Sequence, residues 1–113
     1  MNAKVSRLAD GRVGVVTIAG EIDFSVIPDV RLAFEQALTG KPECLLVDLS
    51  DVSFIASDGL GVLIEAQRHA DADGRKFHLI HPQPHILGLL RKTQLTRLFR
   101  IHESVDDALK NCL

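Results

Sequence analysis

The apolar positions change period several times along the chain, and each change marks a new element. Residues 4–8 alternate weakly, Asp10-Gly11 follows, and residues 13–18 are rich in β-branched side chains. Two extended runs around Asp-Gly predict an antiparallel hairpin, with its second strand ending near Ala19. Gly20-Glu21-Ile22-Asp23-Phe24 then leaves the strand. Ser25 is placed to cap the next helix, and Pro28 falls in its first turn, where a missing N–H is harmless. Val30, Ala33, Phe34, Ala37 and Leu38 recur at helical spacing, and Gly40 with Lys41-Pro42 ends the run.

Residues 44–49 are apolar at nearly every position, which predicts a strand in the middle of a sheet with both faces covered. Ser50-Asp51 reads as a polar turn and residues 52–55 as a short apolar segment. Ala56-Ser57-Asp58-Gly59 opens a helix with Leu60, Leu63, Ile64, Gln67 and Ala70 on one face, ended by Asp73-Gly74. Residues 76–81 predict a strand with Phe77, Leu79 and His81 on one side and His78 and Ile80 on the other. Pro82 and Pro84 break it, and Pro84 suits the first turn of a short helix carrying Ile86, Leu87, Leu89 and Leu90. Residues 98–101 form a last short strand. Ser104 to Asp107 fits a capping box for a final helix through Ala108 and Leu109.

The order is β-β-α-β-α-β-α-β-α, which predicts an α/β layered domain spanning residues 1–113. Its sheet is mixed and mostly parallel, with an N-terminal antiparallel hairpin strand and about four helices. A chain of 113 residues fits one such domain. The hydrophobic share of 46% and charged share of 25% are ordinary for a globular protein. A net charge of -2 gives no reason to expect nucleic acid as a partner. No apolar run approaches a membrane span, and the first residues lack a secretory pattern, so the expectation is a cytoplasmic protein without membrane insertion. Cys44 and Cys112, the only cysteines, read as two thiols with one partly buried.

Candidate chemistry narrows quickly. His78, His81 and His85 invite a metal reading, but His78 and His81 point to opposite faces of a strand and His85 lies beyond two prolines, so no metal site is expected. Arg91, Lys92, Arg97 and Arg100 read as a solvated basic face. No Ser, His and Asp suggest a triad, and Gly59-Leu60-Gly61 lacks both the Lys-Ser/Thr of a phosphate loop and a dinucleotide fingerprint. Asp48 ends the central run as a phosphoacceptor does in a receiver domain, but a Mg²⁺-binding acidic pair and a later Lys are missing. Asp48 is expected to bond the backbone of residues 50–52 instead. What remains is Ser57, a hydroxyl at a helix start beside unpaired N–H groups and the positive end of the helix dipole. Such a site can cap the helix, hold an anion or carry a phosphate.

Four segments resemble one family. Gly20-Glu21-Ile22-Asp23 is similar to a G-E-[IL]-D signature after a second strand. Residues 47–55 resemble the family's strand-and-turn segment. Ala56-Ser57-Asp58-Gly59-Leu60-Gly61 is similar to its D-S-S-G-L-G, and residues 87–101 resemble its T-G-L-x-x-L-F region. The family is the STAS domain, specifically bacterial anti-sigma factor antagonists. The sequence departs from the pattern at Ala56 (usually Asp), Asp58 (usually Ser or Thr) and Gln94 (usually Gly).

The resemblance implies a STAS-like fold and a partner-switching module that is not an enzyme and needs no cofactor. It implies that the unphosphorylated chain binds an anti-sigma factor that is also a serine protein kinase, releasing the sigma factor. Phosphorylation on Ser57 would weaken that binding, and a serine phosphatase would restore it. The implied contact surface comprises Asp23, Phe24, Ile55, Ala56, Ser57, Asp58, Gly59, Leu60 and Gly61. A monomer or weak dimer is expected. The alternative is an unphosphorylated accessory subunit of a transporter ATPase or signalling complex, with Ser57 serving only as a helix cap.

Overall fold

The apolar run at residues 44–49 forms the centre of a five-stranded sheet in the computed structural model, which describes residues 2–112. The strands are β1 (Asn2–Leu8), β2 (Val13–Ile22), β3 (Cys44–Ile55), β4 (Lys76–Ile80) and β5 (Arg100–His102), in that spatial order. β1 pairs antiparallel to β2, and the other three pairings are parallel. The helices are α1 (Ile27–Thr39), α2 (Ser57–Ala72), α3 (Pro84–Lys92) and α4 (Val105–Leu109). The predicted element order and mixed sheet are therefore both present.

Alternation along β3 divides the core in two. Leu45, Val47 and Leu49 join a large cluster with Val30, Phe34 and Ala37 of α1, Val62, Leu63 and Ala66 of α2, and Ile86 and Leu90 of α3. Phe77 stands between Phe34 and Phe99 at ring-centroid distances of 6.3 and 6.0 Å. Cys44 and Leu46 point the other way, into a smaller cluster with Val13, Val15, Ile80, Ala108 and Cys112 beneath α4.

Several local expectations change, among them the last strand, which runs Arg100–His102 rather than over residues 98–101. β2 runs on to Ile22 rather than ending near Ala19, and β3 runs through Ser50-Asp51 to Ile55 without a turn. Two register shifts, between Thr17 and Ala19 and between Gly20 and Glu21, each place one extra residue in β3, so the polar pair is taken up as a bulge. The Asp48 carboxylate stabilises it, accepting from Ser50 N at 2.9 Å and from Ser50 Oγ at 2.7 Å. Gly20 takes a φ of 89° there, which suits a residue without Cβ. Ser25 does not cap α1. Asp23 caps a 3₁₀ turn, Phe24–Val26, that precedes the helix, accepting from Ser25 N at 3.0 Å.

The cysteines are also corrected: Cys44 and Cys112 form a disulfide rather than two free thiols. Ser104 caps α4, with Asp107 N donating to Ser104 Oγ at 3.1 Å. That fixed start returns the chain across the second face, so Cys112 lies over the first residue of β3 with a Cα–Cα distance of 5.4 Å.

Candidate functional site

The carboxyl ends of β2 and β3 define the site. Ile22 pairs with Ile55, and Ala56 N donates to Ile22 O at 2.9 Å, so both chains leave the sheet from one fixed point. One departs through Asp23 and Phe24 towards α1, and the other enters α2. Ala56 is the N-cap of α2, with extended backbone and no side-chain cap. Ser57 is thus the first helical residue, not the cap.

Ser57 is exposed, and its hydroxyl makes no hydrogen bond among the described residues. It faces the positive end of a 16-residue helix whose first N–H groups have no intrahelical partners. Asp58 follows in the same turn, also exposed. A hollow of about 420 Å³ lies alongside, lined by Phe24, Ile27, Arg31, Ser57, Asp58 and Gly61, among others. Arg31 of α1 meets Glu65 of α2 at 3.3 Å, linking the two helices that border the hollow.

The nine expected contact residues fall into two groups. Phe24, Ser57, Asp58 and Gly61 are exposed, and Asp23, Ala56 and Leu60 are partly so. Ile55 and Gly59 are buried and support the surface from below. Phe24 is 78% exposed, an unusual position for an aromatic ring. Phe54, absent from the expected set, is 48% exposed at the same end of the sheet. Its place in an apolar segment hid it: the second bulge turns it outward between Val52 and Ile55, which are buried.

His78, His81 and His85 do not converge on one another. His81 is exposed, and His85 Nε2 approaches Ser53 O at 2.6 Å, tying the start of α3 to β3. His78 is fully buried on the α4 face and was not foreseen beside the cysteines, yet a ring nitrogen of His78 and the sulfurs of Cys44 and Cys112 all lie within 4.8 Å of one another. Its Nδ1 lies 3.1 Å from His102 Nε2, and its Nε2 makes no hydrogen bond of normal geometry. Burial, reinforced by His102, Arg100 and Lys76 and slightly opposed by the Asn111 carbonyl, lowers its pKa from 6.5 to about 4.

A small α/β domain that presents an apolar ring and a free hydroxyl at a strand-to-helix junction has the form of an interaction module. The chain belongs to the STAS domain family, whose profile matches residues 5–108. It is 31% identical over 94 residues to a STAS-domain containing protein of Pseudomonas aeruginosa, covering 82% of this chain and 91% of that one. It is 29% identical over 97 residues to the anti-sigma-F factor antagonist RsfB of Mycobacterium tuberculosis, covering 86% and 79%. The crystal structure of an anti-sigma factor antagonist from Mycobacterium paratuberculosis superposes with a TM-score of 0.87 at 27% identity, covering 98% of this chain and 92% of that one. Among the described residues, no helix is long and apolar enough to cross a membrane.

Proposed function

We propose that this chain is an anti-sigma factor antagonist of a cytoplasmic partner-switching pathway, acting by binding and not by catalysis. Its unmodified form binds an anti-sigma factor that is also a serine kinase, and so frees the sigma factor. The kinase transfers the γ-phosphoryl group of ATP to Ser57, and a serine phosphatase removes it. The observation that carries this reading is the exposed, unbonded Ser57 hydroxyl sharing one hollow with exposed Phe24.

The physical chemistry of the junction fits a switch without refolding. A phosphate adds about two negative charges at neutral pH. At the first residue of α2 those charges meet unpaired N–H groups and the positive end of the dipole, so the fold can hold them. A partner packed over Phe24 and Ser57 would meet an anion it cannot solvate. A loss of roughly 3–4 kcal/mol there is a 10²- to 10³-fold loss of affinity. Asp58 already places one carboxylate in that turn, so the unmodified surface is partly anionic and its partner must tolerate a single charge.

The test is to incubate the chain with ATP and each serine-kinase anti-sigma factor encoded in the source genome, then map phosphate by mass spectrometry. Phosphate on Ser57, and weaker binding by Ser57→Asp than by Ser57→Ala, are expected. Binding with no phosphate on Ser57, and equal affinities for the two variants, would replace this reading with that of an unregulated accessory subunit.

A further inference from the structure

We propose that Cys44, Cys112 and His78 form a Zn²⁺ site that becomes available when the Cys44–Cys112 disulfide is reduced. The three side chains come from the start of β3, the middle of β4 and the segment after α4. Their ligating atoms already lie within 4.8 Å of one another, and all three residues are buried. Zn²⁺ takes sulfur at about 2.3 Å and imidazole nitrogen at about 2.0–2.1 Å, so two of its ligands normally stand roughly 3.3–4 Å apart. The cluster therefore needs only small side-chain movements to close on an ion.

His78 supplies the observation that points to a ligand. Its Nε2 is a buried polar atom that makes no hydrogen bond of normal geometry, although the Asn111 carbonyl lies near enough to favour a proton on the ring. Its other nitrogen, Nδ1, meets His102 Nε2 at 3.1 Å. A ligating histidine commonly has its second nitrogen fixed in this way, which sets the ring orientation and leaves the first nitrogen free for the metal. His102 is accordingly a positioning residue.

Charge selects the ion. Two thiolates carry two negative charges, and the imidazole carries none. A divalent cation makes the buried group neutral, whereas a monovalent one leaves an anion inside the smaller core, where uncompensated charge is costly. Sulfur and imidazole donors suit Zn²⁺ over the oxygen-seeking Mg²⁺ and Ca²⁺. Three protein ligands leave the fourth tetrahedral position to water.

The disulfide and the ion are alternatives. A dithiol reductant gives two electrons and two protons to the Cys44–Cys112 bond and is itself oxidised to a disulfide, leaving two thiols. Zn²⁺ then displaces one proton from each sulfur as it binds. Either linkage holds the C-terminal segment to the first residue of β3, so the end of the chain stays anchored in oxidising and in reducing surroundings.

The full chain, reduced with dithiothreitol and freed of it anaerobically, would be titrated with Zn²⁺ against a competing chelator, and with Co²⁺ as a spectroscopic probe. One ion per chain is expected, with a thiolate-to-cobalt charge-transfer band, and no such binding by the oxidised protein. Cys112→Ser should weaken binding at least about 100-fold, and His102→Phe about 10-fold, within the range for residues that orient a ligand. His78→Gln removes a ligand, but it alters the core and can fail to fold. Cys112 follows α4 and belongs to no helix or strand, and circular dichroism of Cys112→Ser reports whether the domain stays intact. Absence of the charge-transfer band in the reduced protein, or unchanged affinity in folded Cys112→Ser, would overturn the proposal.

Discussion

A Cβ placed on Gly59 would stand 2.7 Å from Cγ2 of Ile22, closer than side chains approach one another. The same atom would lie 2.9 Å from Cγ2 of Ile55 and 3.1 Å from the Ile22 carbonyl oxygen. Gly59 is thus the point at which the first turn of α2 rests on the ends of β2 and β3. Ile22 is also the residue whose carbonyl accepts from Ala56 N, so one residue sets both the start and the height of the helix.

Gly59→Ala should therefore lower stability by about 1–3 kcal/mol, because the clash outweighs the roughly 1 kcal/mol that Ala gains over Gly in a helix. Gly61→Ala is the matched control. Its Cβ would meet nothing within 4 Å, so helix propensity should act alone and raise stability by up to about 1 kcal/mol. Urea midpoints of the two variants should move in opposite directions. A Gly59→Ala midpoint at or above that of the parent would show that α2 does not rest on Ile22.

Phe24 tests the surface rather than the fold. It is 78% exposed, so Phe24→Ser should change the urea midpoint little. Covering a phenyl ring contributes about 1.5–3 kcal/mol, so affinity for the anti-sigma partner should fall roughly 10- to 100-fold. Leu32 of α1 is 52% exposed but lines a different hollow, with Ala3, Asp29, Ala33 and Gln36. Leu32→Ser should leave affinity unchanged. Equal losses from the two substitutions would move the contact surface away from the Ser57 junction.

The element order was legible because period-2 and period-3.6 patterns alternate cleanly and Gly, Pro and Ser punctuate them. What was not legible depends on contacts distant in sequence. Ser50-Asp51 has turn chemistry, and only its pairing with β2 makes it a bulge in a continuous strand. Asp23 and Ser25 are both capping residues two apart, and the 3₁₀ turn Phe24–Val26, which takes in Ser25, decides for Asp23. Gly59 sits in a surface motif, yet Ile22 and Ile55 pack against it. The Cys44–His78–Cys112 cluster spans 68 residues from first to last, and nothing local in the sequence marks it. The strand alternation did place His78 on the side of Ile80, away from Phe77 and Leu79, which is the half of that geometry a periodicity can carry.

Gln94 occupies a left-handed backbone position, with φ 61° and ψ 19°, between α3 and the 3₁₀ turn Leu95–Arg97. A side chain there costs on the order of 1–2 kcal/mol that glycine avoids, partly offset by the greater freedom glycine has in the unfolded chain. This accounts physically for the Gly usual at that place in the family pattern. Gln94→Gly should raise stability by up to about 1 kcal/mol, read as a higher urea midpoint at unchanged slope. A lower midpoint would mean that the Gln94 side chain makes a contribution larger than its backbone strain.

His78 should make the disulfide form sensitive to mild acid. Its pKa is lowered from 6.5 to about 4 in the folded chain, so between these values the unfolded chain binds a proton that the folded chain refuses. Stability therefore rises with pH across that window: it is fully present above about 6.5 and is lost as pH falls towards 4. The groups facing the ring reinforce this direction. His102 and Arg100 approach from β5 and Lys76 from β4, and only the Asn111 carbonyl favours the proton. The difference between pH 8 and pH 5 is on the order of 2 kcal/mol from this one residue. Carboxylates elsewhere also titrate on the acid side, so the comparison is with His78→Phe, which keeps a buried ring and removes the titration. With the disulfide intact and a chelator present, the parent should lose about 2 kcal/mol more than His78→Phe over that interval, measured by urea unfolding at each pH. Parallel losses in the two proteins would mean that His78 is no harder to protonate in the folded chain than in the unfolded one.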